Sequence, residues 1–238
     1  MPITSAPTPG TVGPAVHLLA GALTRALLEE GDGFRLGRFL ADSGDRSAGL
    51  AAVRVLGADV LTPFVLKGLP LPGEDAALIE AAVRVYPAPQ DQPRETALWR
   101  VREAALVRAL AALGVDASGW EGLTPVRPAR QPPAPEWVPL AVDLVRLACA
   151  APPFTDATVR EELARRRLDL TRGLVRALLR RDALSAARLA RWLTFDAVTA
   201  RPPLLAPALE HLEIVGADDA RVLLETTIAR RTMTRPPA

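Results

Sequence analysis

The chain reads as an all-α protein, an irregular array of about twelve short helices. Three observations predict this. Leucine outnumbers isoleucine 37 to 4, with a single tyrosine and no asparagine, whereas strands draw on β-branched and aromatic residues and tight hairpins on Asn-Gly. Proline is 23 of 238 residues, about twice its usual share of roughly 5%. Most of it nevertheless clusters between segments of apolar helical period, where a residue without an N–H does little harm. Those segments carry wide apolar faces and short connections, so each helix must bury surface against several neighbours. An α-solenoid or HEAT-like stacking of helical hairpins is the expected arrangement, with a compact orthogonal bundle as the alternative.

Taken in order, residues 1–13 are uncharged and rich in Pro, Thr and Ser and read as a flexible N-terminal tail. An N-terminal helical half follows over residues 14–123, with helices near 14–30, 33–43, 46–56, 58–67, 74–85 and 93–113. The apolar stretch Ala15 to Leu28 is interrupted by His17, Thr24 and Arg25. It is too short and polar for a membrane span and lacks a basic leader, so a soluble, cytoplasmic chain is expected. The helix near 93–113 is the best defined: Asp91 or Gln92 can cap it, Pro93 suits its first turn, and Gly114 suits a left-handed C-cap. Leu98, Val101, Ala105, Ala109 and Ala112 form its apolar stripe, flanked by Trp99, Leu106, Leu110 and Leu113.

Residues 124–136, with five prolines in thirteen positions, exclude a continuous helix and read as a Pro-rich linker. Trp120 and Trp137 bracket it and are expected to anchor its ends, with a peptide groove as the second reading. The C-terminal helical half, residues 137–232, should contain helices near 137–150, 156–167, 170–181, 183–199, 203–215 and 218–231, the last starting at Asp218. Faint internal similarity accompanies this pattern: Ala51-Ala-Val-Arg-Val55 recurs as Ala81-Ala-Val-Arg-Val85, and Leu144-Val-Arg146 as Leu174-Val-Arg176. Thirty residues is about one helix–turn–helix unit, but short coincidences are expected among residues this abundant.

One cysteine excludes a disulfide scaffold and any multi-cysteine metal site, and no cofactor or metal is expected. Cys149 lies on an apolar segment and reads as a small buried hydrophobe. His17 has no acid within reach on its own helix. His211, in Glu210-His-Leu-Glu213, fits no metal-ligand spacing. Gly31-Asp-Gly-Phe-Arg-Leu-Gly37 resembles a phosphate loop only superficially, because it follows a helix rather than a strand. The acid pairs at 29/30, 42/45, 161/162 and 218/219 sit at helix ends, where capping explains them. No residue set is nominated as catalytic.

Charge is unevenly spread. Residues 160–191 carry ten arginines against four acids, a net charge of +6, while lysine occurs once, at Lys67. A GC-rich bacterial genome accounts for the arginine preference, but the placement is a separate matter. Arg172, Arg176 and Arg180 repeat at i, i+4 and i+8 opposite Leu170, Leu174, Leu178 and their neighbours Val175 and Leu179, which is expected to put one arginine face and one core face on the same helix. Arg165, Arg166, Arg172, Arg176, Arg180 and Arg188 are the candidate binding surface. Part of the segment has the look of a helix-turn-helix but departs from it at Leu168 and Asp169, and aromatic platforms for single strands are lacking.

Three functions fit, in this order. The first is a non-enzymatic protein-interaction or scaffold protein with a protein partner. The second is a nucleic-acid-associated protein that neutralises phosphates through Arg160 to Arg191. The third is an all-α enzyme with scattered site residues.

Overall fold

A computed structural model describes residues 9–29, 34–89, 91–123, 136–196 and 202–234. Among these there are twelve α-helices, three 3₁₀ segments and no strand, so the fold is all-α. Two compact units divide the chain, residues 1–127 and 128–238. Residues 124–135 of the Pro-rich segment, and Gly31 to Gly33 of the glycine loop, lie outside the described residues.

In the first unit, α1 spans Pro9–Leu28, α2 Leu36–Asp42, α3 Arg46–Leu56, α4 Thr62–Lys67, α5 Gly73–Val85 and α6 Pro93–Ala112, with a 3₁₀ segment Gly57–Leu61 joining α3 to α4. Helix α1 starts earlier than its sequence suggests and contains Pro14. Gly13 precedes that proline, and without a Cβ it avoids the clash that normally pushes a pre-proline residue out of the helical region. Leu19, Leu23 and Leu27, one helical turn apart, are fully buried, where α1 packs on α3 and α4. The Lys67 Nζ donates to the carbonyls of Ala26 (3.1 Å) and Glu29 (2.7 Å), satisfying acceptors that the end of α1 leaves open.

The stretches Gly10–Leu28 and Arg46–Lys67 are long and apolar enough to cross a membrane by length and composition. The second is 83% buried inside the first unit, as befits a core segment.

Helix α3 is the centre of this unit, touching α1, α2 and α5, while its 3₁₀ continuation touches α6. Small residues make that possible. Ala48, Gly49, Ala51 and Ala52 are all buried, and they let neighbouring backbones approach from several sides. A Cβ on Gly49 would lie 2.5 Å from the Leu40 side chain.

The second unit contains α7 Trp137–Arg146, α8 Ala157–Arg165, α9 Arg167–Leu179, α10 Ala183–Trp192, α11 Leu205–Val215 and α12 Ala220–Thr234, with 3₁₀ segments Ala148–Ala150 and Leu193–Asp196. Helix α10 occupies the centre and touches α7, α9, α11 and α12. Its alanines 186, 187 and 190 are fully buried. Trp192 is buried beside them, and its indole N–H donates to the Leu144 carbonyl at 2.8 Å, giving the one polar atom of a large apolar group a partner. Contacts in each unit therefore concentrate on one central helix and do not run only between successive neighbours.

Helix boundaries depart from expectation where local hydrogen bonding changes. The segment near 183–199 stops being α-helical at Trp192 and tightens into a 3₁₀ turn. Helices α8 and α9 are separated by Arg166 alone, with Leu168 and Asp169 inside the first turn of α9. That leaves no room for the three- to four-residue turn of a helix-turn-helix. At α12, the cap is Asp219 and not Asp218: its carboxylate accepts from the Arg221 amide at 2.9 Å.

The recurring triplets, with Leu106-Val-Arg108 as a third copy at a wider interval, share a register. Leu106, Leu144 and Leu174 are all buried, Val107 and Val145 are half-buried and Val175 more open, and Arg108, Arg146 and Arg176 are exposed. The recurring pentapeptides do not agree fully, since Arg54 is buried and Arg84 exposed.

Candidate functional site

Helix α9 presents the arginine face anticipated from its spacing, and the surroundings of each arginine separate the structural from the available ones. Arg172, Val175, Arg176, Leu179 and Arg180 line an open groove together with Thr171 and Trp137 of α7. Its apolar part is prominent and corrects the expected core face: Leu179 is 81% exposed and Val175 is also open to solvent, because both turn toward the arginine side of α9. An isolated exposed leucine is ordinary. A leucine and a valine on one helix face, beside a tryptophan and bounded by three cations, make a patch with chemical character.

The Arg176 guanidinium lies over the Trp137 ring, 5.6 Å from its centroid, an attraction of about 0.5–1 kcal/mol at an exposed site. It also orients both groups. Arg172 lies 3.4 Å from the Asp169 carboxylate, so part of its charge is balanced. Arg180 is exposed at the end of α9.

The other nominated arginines sit elsewhere. Arg166 is largely buried and donates through both Nε (3.0 Å) and a terminal nitrogen (2.9 Å) to Asp169, holding the α8–α9 junction. Arg165 pairs with Glu162 one turn earlier on α8. Its pKa is raised, first by the hydrogen bond to Glu162 and then by that carboxylate's charge, but such an exposed pair contributes little to stability. Arg188 faces the interior of the unit and bonds to Glu225 of α12 at 3.2 Å. The structure thus brings Arg172, Arg176 and Arg180 together, and it pairs Arg165 with Glu162, Arg166 with the Asp169 that Arg172 also approaches, and Arg188 with Glu225.

Trp137, expected at the end of the Pro-rich linker with a peptide groove as its second reading, lies in this groove, and nothing in the spacing of α7 links it to α9. Sequence reasoning missed the arginine cluster between α10 and α12. Arg191, fully buried, donates to Glu225 at 2.9 Å and to the Pro152 carbonyl at 2.9 Å. Arg221 stands one turn before Glu225 on α12. The available signal was an arginine in the first turn of a helix, where the macrodipole favours acids.

The remaining candidates do not converge. His17 and His211 are both exposed and belong to different units. Cys149 is buried. Among the described residues no group of three or more His, Cys, Asp or Glu side chains is placed to hold a metal ion. Comparisons with protein-family models, with curated proteins and with solved structures return no match.

Proposed function

We propose that this is a non-enzymatic protein-interaction protein, and that the α7–α9 groove is where an acidic segment of its partner docks. One observation carries the reading: exposed Leu179 and Val175 lie in a groove with Trp137, bordered by Arg172, Arg176 and Arg180. Covering an aliphatic side chain of that kind contributes about 1.5–3 kcal/mol, whereas an exposed ion pair contributes about 0–1 kcal/mol. The apolar residues therefore supply most of the affinity, and the arginines select acidic partners and speed encounter. A bacterial, cytoplasmic scaffold role belongs to the same proposal.

Nucleic-acid binding is the second reading, favoured by the i, i+4, i+8 arginine stripe. It ranks lower because Trp137 already carries Arg176 on its face and is not an open stacking platform, and because an exposed leucine beside the stripe has no role against phosphates.

The test is a titration of a fluorescein-labelled amphipathic peptide with leucines along one helical face and flanking glutamates, beside a counterpart in which lysine replaces every glutamate. Micromolar binding of the acidic peptide is expected, weakened at least about tenfold by Leu179→Glu and by Arg176→Glu. Equal binding of the lysine peptide, or no loss in Leu179→Glu, would overturn the docking assignment. Duplex and single-stranded oligonucleotides in the same assay decide the second reading, since phosphate binding falls linearly with salt on logarithmic axes.

A further inference from the structure

Between α10 and α12 the cations outnumber their partners. Arg188 and Arg191 lie on one face of α10, and Arg221 and Glu225, one turn apart, lie on one face of α12, which packs against it. Glu225 is claimed by both α10 arginines, at 3.2 Å from Arg188 Nε and 2.9 Å from an Arg191 terminal nitrogen. Arg191 has a further acceptor in the Pro152 carbonyl. Arg188 reaches Glu225 through Nε alone, and its two terminal nitrogens meet no acceptor among the described residues.

Arg221 is less satisfied still. Its backbone N–H is held by Asp219, but its guanidinium makes no hydrogen bond among the described residues, and its Nε is sealed from solvent without a partner. A buried donor without an acceptor is costly and uncommon. The residue also breaks a local rule, placing a cation in the first turn of α12, where the helix dipole is already positive. Burial, followed by the charge of Arg188, pushes the Arg221 pKa down, with Asp219 and Glu225 opposing. Arg188 is bonded to Glu225, one turn along α12 from Arg221, which makes the two arginines neighbours. Two of the three guanidiniums converge on Glu225, and Asp219 accepts from the α12 backbone.

We propose that Arg188 and Arg221 form an oxyanion site that takes a phosphoryl group, either as free phosphate or as a phosphorylated side chain. The site supplies the terminal nitrogens of Arg188 and of Arg221, with the positive end of α12 on the same helix as Arg221. A dianion with three acceptor oxygens balances two positive charges, where a monocarboxylate balances one, and guanidinium forks match phosphate geometry. Both arginines are half-buried and not sealed, so an anion reaches them without unfolding the unit. Local inconsistency of this kind, a charge placed against its own helix and left without a partner, is where function is expected to sit.

The experiment uses the full chain. Thermal unfolding is followed in sodium chloride, sodium acetate and sodium phosphate at equal ionic strength, for the wild type and for Arg221→Met, with the arginine Nε–Hε resonances recorded in parallel. A ligand that binds only the folded state raises the midpoint in a saturable way. Phosphate is expected to raise the wild-type midpoint by several degrees beyond chloride and acetate and to shift the Nε–Hε signals of Arg188 and Arg221. In chloride, Arg221→Met should unfold at or above the wild-type temperature, because the substitution removes a repelled charge and an orphaned donor, and it should ignore phosphate. A merely structural arginine would behave oppositely, its loss lowering the midpoint. Equal shifts in phosphate and chloride, or an undiminished response in Arg221→Met, would overturn the site. A phosphoserine peptide that binds at least tenfold more tightly than inorganic phosphate assigns the source to a modified protein, and equal affinity assigns it to a free phosphate ligand.

Discussion

A Cβ placed on Gly173 would lie 2.9 Å from the Ala141 Cβ, so α9 and α7 meet at a point that admits only a hydrogen atom. Leu189 of α10 closes the same position at 3.4 Å. Ala141 is one turn from Trp137 on α7, and Gly173 is three residues from Arg176 on α9. The contact that brings the two helices together therefore also sets the distance between Trp137 and Arg176.

Gly173→Ala tests this link. In an exposed helix the change stabilises by about 0.5–1 kcal/mol. Here the overpacking cost of about 1–3 kcal/mol outweighs that gain, and a net loss of about 1–2 kcal/mol is expected in urea denaturation. The displaced α7 should also move Trp137 away from Arg176, read as weaker binding of the acidic peptide with the Arg172, Arg176 and Arg180 side chains intact. A stabilised variant with unchanged binding would show that the close approach does not position the groove.

The sequence carries the helices and one face of the groove, because both follow from spacing along a single element. The arginines at 172, 176 and 180 must share a face whatever surrounds them, and Gly114, just beyond α6, has the positive φ (+78°) that its place after the helix demands. Partners from distant elements are another matter. Arg166 and Arg172 are equally basic on paper, yet one is locked to Asp169 with two bonds while the other is open on its far side. Arg188 meets Glu225, 37 residues away. Arg54 and Arg84 occupy the same place in identical pentapeptides, and tertiary partners distinguish them, Arg54 meeting Glu103 of α6 and the Tyr86 carbonyl. A charge is visible in one dimension; the carboxylate that neutralises it is fixed by tertiary structure.

Helix α2 depends on a side chain from another element. Its seven residues have no capping side chain of their own, and Arg35 stands at the N-cap position. Asp75, in the first turn of α5, accepts from the amides of Leu36 at 3.0 Å and Gly37 at 2.9 Å. A helix this short does not persist unaided. Asp75→Ala leaves two donors without acceptors, one of them on the fully buried Leu36, and should cost about 1–3 kcal/mol. Hydrogen exchange supplies the sharper reading: amides of α2 should lose protection ahead of those in α1 and α3. Loss of protection spread evenly over the first unit would argue against a local tether.

Inside the first unit Arg54 pairs with Glu103 of α6, where both side chains are almost completely buried, at 5% and 1% exposure. The same guanidinium donates through Nε to the Tyr86 carbonyl at 2.8 Å and lies over Trp99, 4.5 Å from the ring centroid. Arg102 approaches that ring at 4.9 Å. Desolvating both charges offsets much of their mutual attraction, so the intact pair adds little net stability, while removal of one member strands the other in an apolar setting. Glu103→Leu should accordingly cost about 3–5 kcal/mol, and Glu103→Gln less, because an amide oxygen still accepts from Arg54. The double variant Arg54→Met with Glu103→Leu should recover most of the loss, since unbranched and branched apolar chains fill a similar volume. Denaturant midpoints of the two single variants and the double variant complete the cycle. Near-additive losses in the double variant would mean that Arg54 acts chiefly through Tyr86 and Trp99 and that its pairing with Glu103 is incidental.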